Sequence, residues 1–249
     1  MTIAPSANNF VKKNHMKFKN KKIVVAGGTS GIGLASAKNF LAAGAAVTVT
    51  GRNTDRLALA RELGLNAYLL DSLDRNALDT FFRDHGAVDH LVIALGGSKG
   101  MGDFAVLSLE LLRHGFQEKF WPQLETLQAA LPVLSPGASI TLVTGSAARL
   151  KQRGIAGLTA INGALELMVP ALSLELTSFR VNAVSPGVVD TPWWNFLPSD
   201  KKQEVFAQFT ATLPARRAAE PGEIADVISF LAGNAYMTGK IVGVDGGMV

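Results

Sequence analysis

Residues 24–33 read Val-Val-Ala-Gly-Gly-Thr-Ser-Gly-Ile-Gly. An apolar run over residues 23–26 ends in Gly27 and Gly28, which can take positive φ without a Cβ penalty. Gly31 and Gly33 then open a segment, 32–41, whose apolar residues recur at helical spacing. The start of a helix offers unpaired N–H groups and the positive end of its dipole, a combination suited to a pyrophosphate. Gly27, Thr29, Ser30, Gly31, Ile32 and Gly33 are therefore candidate cofactor-binding residues, with Gly33 letting helix and strand approach closely. The spacing is Gly-x-x-x-Gly-x-Gly rather than the commoner Gly-x-Gly-x-x-Gly. Standing between a strand and a helix near the start of the chain, it points to a bound dinucleotide.

Outward from this turn, strands and helices alternate. Apolar runs at 46–50, 67–70, 88–94, 139–144, 181–184 and 240–244 read as strands. Helical patterns fall between them at 31–43, 54–63, 74–84, 108–133, 156–178 and 221–233. This alternation predicts an α/β fold: a single doubly wound Rossmann-like domain over residues 21–249, its parallel sheet covered by helices on both faces. With 249 residues, 48% hydrophobic, the chain can bury a sizeable core.

No apolar run approaches the roughly 18 residues of a membrane span, and the first residues lack the apolar region of a secretory signal. Zero cysteines exclude disulfides and thiolate metal sites, in keeping with a cytoplasmic protein; four scattered histidines give no support for a metal. The net charge is +4, yet residues 1–22 hold six lysines and no acid, so the remainder carries −2. The basicity belongs to an N-terminal arm over residues 1–20, expected to be disordered and dispensable, and not to a nucleic-acid-binding face.

Several motifs in order make the chain similar to the short-chain dehydrogenase/reductase family from residue 20 to the C-terminus. The glycine turn has that family's spacing. Asp71, followed by Ser72, sits after the third strand where the family holds the adenine. Residues 180–187, Arg-Val-Asn-Ala-Val-Ser-Pro-Gly, resemble its sixth strand and nicotinamide-side loop, which makes Pro186, Gly187, Val189 and Thr191 cofactor candidates. Residues 244–247, Val-Asp-Gly-Gly, resemble its C-terminal signature. The resemblance implies NAD(P) binding, a small-molecule substrate and a homodimer or homotetramer.

Charge selects between the two dinucleotides. The second strand ends Gly51-Arg52-Asn53. An acid there would hold a ribose 2′-OH and repel a 2′-phosphate; Arg52 can instead pair with that phosphate, with Ser30 adding a hydroxyl. NADP(H) is the expected cofactor, the alternative being a solvated arginine at the start of a helix.

The catalytic positions depart from the family. Its Asn-Asn-Ala-Gly turn appears as Ile93-Ala94-Leu95-Gly96, with Ala94, Leu95 and Gly96 still placed to line the cofactor. Counting between motifs sets Lys119 at the family's helix-four asparagine, Gly145 at its serine, Leu158 at its tyrosine and Asn162 at its lysine. In the family the tyrosine protonates the carbonyl oxygen, and such assistance is worth roughly 10²–10⁴ in rate. Leu158 cannot do this. Asn162 can still bond a ribose hydroxyl. Lys119 and Ser146 are the candidate catalytic replacements, each with a plainer reading as a solvated-face or backbone-bonded residue. Pro122 should kink the helix that carries Lys119. Residues 190–198, Asp-Thr-Pro-Trp-Trp-Asn-Phe-Leu-Pro, offer Trp193, Trp194 and Phe196 as an aromatic cover over a flat or apolar substrate, or as an oligomer contact. The glycine-rich residues 97–102 would form the opposite rim. Two functions lead: an NADP(H)-dependent oxidoreductase with a non-standard site, or an NADP(H)-binding sensor or partner subunit without turnover; a third is a non-redox enzyme, such as an isomerase or lyase, reusing the pocket.

Overall fold

The computed structural model describes residues 17–249; the side chains of Phe196, Ser199 and Asp200 lie outside the described residues, as does the arm at 1–16. Seven strands form one sheet: β1 (Lys22–Ala26), β2 (Ala46–Gly51), β3 (Asn66–Leu69), β4 (Val88–Ile93), β5 (Leu134–Val143), β6 (Arg180–Pro186) and β7 (Ile241–Val244). The helices are α1 (Gly31–Ala42), α2 (Thr54–Glu62), α3 (Arg75–His85), α4 (Leu109–Gly115), α5 (Trp121–Ala130), α6 (Ala156–Glu175), α7 (Ser199–Thr210) and α8 (Pro221–Gly233). All strands pair in parallel, in the order β3-β2-β1-β4-β5-β6-β7. The order reverses between β1 and β4, and a ligand crevice opens above the carboxyl ends of strands at such a point.

The period of two along β1 divides the core. Ile23 and Val25 face α1, α2 and α8, packing with Phe40, Leu57 and Ile228. Val24 and Ala26 face the other layer, with Leu78 and Phe82 of α3, Leu127 of α5 and Val169 of α6. Both faces are covered, which explains the near-continuous apolar strands. The long apolar helix α6, of a length and hydropathy that would suit a membrane span, is used here as a sheet-covering helix through Ile161, Leu165 and Val169.

Three expectations change. The arm ends earlier than residue 20: Phe18 is buried and stacks edge-on against Phe40 at 4.9 Å and His90 at 5.3 Å, so the fold begins by residue 17. The helix expected over 108–133 is interrupted by a π-helical turn, Phe116–Phe120, in which the Trp121 N–H reaches back to the Phe116 carbonyl. Pro122 then falls in the first turn of α5, where its missing N–H is not needed. Helix α7 has no counterpart in the sequence reading, because its lysine-rich first half dilutes the apolar pattern of Val205, Phe206 and Phe209.

Candidate active site

The crevice above β1, β4, β5 and β6 encloses about 420 Å³. Its cofactor end is built by the glycine turn. A Cβ on Gly33 would overlap the Gly27 carbonyl oxygen, and one on Gly27, at φ 75°, would lie 2.7 Å from the Ala94 carbonyl oxygen. Backbone alone fits between β1, β4 and α1. At Ser30, the N-cap of α1, no side-chain hydrogen bond closes the helix, and the first turn carries no acid. Those free N–H groups and the open cradle fit a pyrophosphate.

Gly27, Ser30, Gly31, Ile32, Gly33, Ala94, Leu95, Gly96, Asn162, Pro186, Gly187, Val189 and Thr191 all line this cavity. The other cofactor candidates do not. Thr29 lies against Gly51, Arg52 is exposed, and Ser72 is buried. Asn53 uses its side-chain oxygen to cap α2, accepting the Arg56 N–H at 2.9 Å. Asp71 accepts the Leu73 N–H at 3.1 Å, closing its own turn. A residue missed from the sequence is Arg56, which lines the cavity and whose guanidinium approaches the Ser30 hydroxyl at 3.5 Å. The one available signal was its position on the first turn of α2, four residues after Arg52.

At the catalytic end, the π turn aims Lys119 inward. Its Nζ donates to the Thr144 carbonyl oxygen at 2.8 Å and to Asn162 Oδ1 at 2.7 Å. Asn162 is fixed in turn by donating from Nδ2 to the Leu158 carbonyl oxygen at 2.8 Å. Burial pulls the Lys119 ammonium down to about 8, with the Glu166 carboxylate opposing. Lysine has three N–H donors, and two are engaged, leaving one for a ligand in the cavity. Gly145 makes room for this pair, since a Cβ there would sit 3.2 Å from Asn162 Oδ1. Ser146 also lines the cavity, its hydroxyl directed at Met248 Sδ at 3.3 Å, a weak acceptor that a better one can displace.

The substrate side is apolar: Met101, Leu150, Ile155, Leu158, Phe209 and Met248. Trp193 joins the two rims, its indole N–H donating to the Gly97 carbonyl oxygen at 2.9 Å. Glu118 Oε2 accepts the Ser98 and Lys99 N–H groups at 2.9 and 3.3 Å, holding the glycine-rich rim in place. The aromatic cover is narrower than expected. Trp194 touches the cavity but is mostly core, buried against Phe206 and Phe209 of α7, with its N–H on the Val189 carbonyl oxygen. The Phe196 side chain lies outside the described residues.

A family model described as Enoyl-(Acyl carrier protein) reductase matches residues 26–249. The chain belongs to the short-chain dehydrogenase/reductase family. It is similar to a 3alpha-hydroxysteroid dehydrogenase of Mediterraneibacter gnavus, 31% identical over 93% of this chain and 98% of that one. A second relative, the cyclic-di-GMP-binding biofilm dispersal mediator protein of Escherichia coli, is 28% identical over 92% of this chain and 97% of its own. Among solved structures, a small-chain dehydrogenase in complex with NADPH superposes with a TM-score of 0.82 at 30% identity, over 92% of this chain and 99% of the other. This short-chain dehydrogenase/reductase is thus an oxidoreductase with an NAD(P)-type cofactor site.

Proposed function

We propose that this short-chain dehydrogenase/reductase is NADP(H)-dependent and reduces, or in reverse oxidises, a small apolar or aromatic substrate, with Lys119 as its proton donor. The observation that carries the reading is the Lys119 ammonium, held by two acceptors at 2.8 and 2.7 Å with its third N–H left for the cavity. The bound cofactor supplies or accepts the hydride. Lys119 donates a proton to the substrate oxygen, and Ser146 orients that oxygen. Asn162 holds the ammonium in place, and Leu158, with the other apolar walls and Trp193, keeps water from the reacting centre. Arg56, with Arg52 beside it, selects the 2′-phosphate. Gly27, Thr29, Ser30, Gly31, Ile32 and Gly33 cradle the pyrophosphate, while Asp71 and Ser72 border the adenine.

The subunit is a homodimer or homotetramer. The exposed leucines of α6, Leu167 at 82% and Leu174 at 78%, support an apolar contact between copies. Light scattering on Leu167→Glu should show a smaller particle than the unmutated chain.

The test of function is NADPH oxidation against a panel of ketones, enones, quinones and imines, with and without Lys119→Met. A second reading, an NADP(H)-binding sensor without turnover, is favoured by Leu158 and Asn162 standing at the family's tyrosine and lysine positions, and by a relative named for binding cyclic di-GMP. Tight NADPH binding with no oxidation across the panel would select it.

A further inference from the structure

Behind the Lys119–Asn162 pair lies a carboxylate that the proposed chemistry does not use. Glu166, one turn beyond Asn162 on α6, is 7% exposed. Its Oε1 accepts the hydroxyls of Ser185, at 2.6 Å, and Thr144, at 3.0 Å; its Oε2 faces Arg149 Nε at 3.6 Å. Thr144 is the hinge between the two halves: its hydroxyl is on Glu166 and its carbonyl oxygen is on Lys119 Nζ. A buried carboxylate needs more compensation than one half-exposed arginine provides.

We propose that Glu166 is a positioning residue that sets the charge of Lys119, fixing Thr144 as its acceptor and placing a counter-charge behind the ammonium. The family's asparagine and lysine positions have exchanged residue types, so the cation enters from the π turn instead of from α6. Glu166 stays on α6, one turn beyond the position the cation left. Burial alone lowers the Lys119 pKa, and the Glu166 carboxylate raises it again towards the range where a proton remains available near neutrality. The other charged groups around the ammonium act differently. Glu118 spends Oε2 on the Ser98 and Lys99 amides, Lys99 and Arg56 line the cavity, and Arg149 partly offsets Glu166.

This inference rests on Lys119 as the site's acid, but its test needs neither substrate nor turnover. The unliganded protein is labelled with trace acetic anhydride between pH 6 and 10, and acetylation of Lys119 is read by peptide mass spectrometry against exposed Lys38. Glu166→Gln removes the charge at constant shape, so Lys119 should label about threefold or more faster at pH 7 than in the unmutated protein. Arg149→Met, a surface change, should slow Lys119 labelling at the same pH. Opposite signs in the two variants are not what loosened packing produces. An unchanged Lys119 profile in Glu166→Gln overturns the proposal; should that variant not fold, unchanged or faster labelling in Arg149→Met does so. Turnover unaffected by Lys119→Met would instead sink the acid assignment and leave this coupling standing.

Discussion

The two ends of one crevice have been treated differently. At the cofactor end, β1 and α1 meet through Gly27 and Gly33, where an added Cβ would collide with backbone, and the turn is made of main chain. At the other end, side chains line the cavity: a lysine from a π turn reaches an asparagine on α6, and a glycine at 145 gives them space. Main-chain sites tolerate little, because their geometry is the fold itself. Side-chain sites can be rewired so long as a donor of suitable charge reaches the same point from another wall.

The sharpest way to break that contrast is Lys119→Met, which keeps length and removes the charge. Turnover of any substrate found should fall by about 10²–10⁴-fold, with NADPH affinity nearly intact by fluorescence titration. Unchanged turnover would return Lys119 to a packing role. The pH profile sharpens the same point. With Lys119 titrating near 8, reduction should be flat below that pH and fall about tenfold per pH unit above it. Stability has the opposite trend. The folded pKa lies below the usual 10.5, so the unfolded chain binds more protons between about 8 and 10.5, and the Lys119 contribution to stability rises with pH across that window.

Next in size is the scaffold under β1. Deleting residues 1–15, to start at Met16, should leave the melting curve and NADPH affinity unchanged. Phe18→Ala should cost about 3–5 kcal/mol by denaturant unfolding, because it empties a core position. Equal stabilities would place Phe18 back in the arm. At the cofactor end, Gly33→Val should cost about 1–3 kcal/mol and abolish measurable NADPH binding, as the added atoms strike the Gly27 carbonyl.

The smallest effect is cofactor choice. Arg56→Asp should weaken NADPH by about 1.5–3 kcal/mol and leave NADH nearly unchanged, with Arg52→Asp weaker in the same direction. Equal affinities for NADH and NADPH in the unmutated protein would remove both arginines from the 2′-phosphate reading.

Much of this was legible in the chain because it depends on local pattern. The glycine turn, the strand alternation and the motif order depend on neighbours in sequence, and the structure keeps all three in one parallel sheet. The errors fall where contacts are distant or patterns diluted. Phe18 sits in a lysine-rich segment that looks solvated, and its partners Phe40 and His90 come from α1 and β4. Trp194 looked like part of a cover, yet the polar helix α7 that buries it was itself invisible to periodicity.

The sequence by itself determined the doubly wound fold and the dinucleotide cradle, since each is written in residue type and spacing, and it set Leu158 and Asn162 four residues apart on one helix. Only the tertiary structure decided which side chains meet in the crevice. Lys119 meets Thr144 and Asn162 across 25 and 43 residues, and Arg56 lines the cavity wall where Arg52 does not. The physical reason is the π turn and the helix packing around it: a one-residue widening before Pro122 rotates Lys119 from a possible solvated face into the crevice, and no spacing rule along the chain reports that rotation.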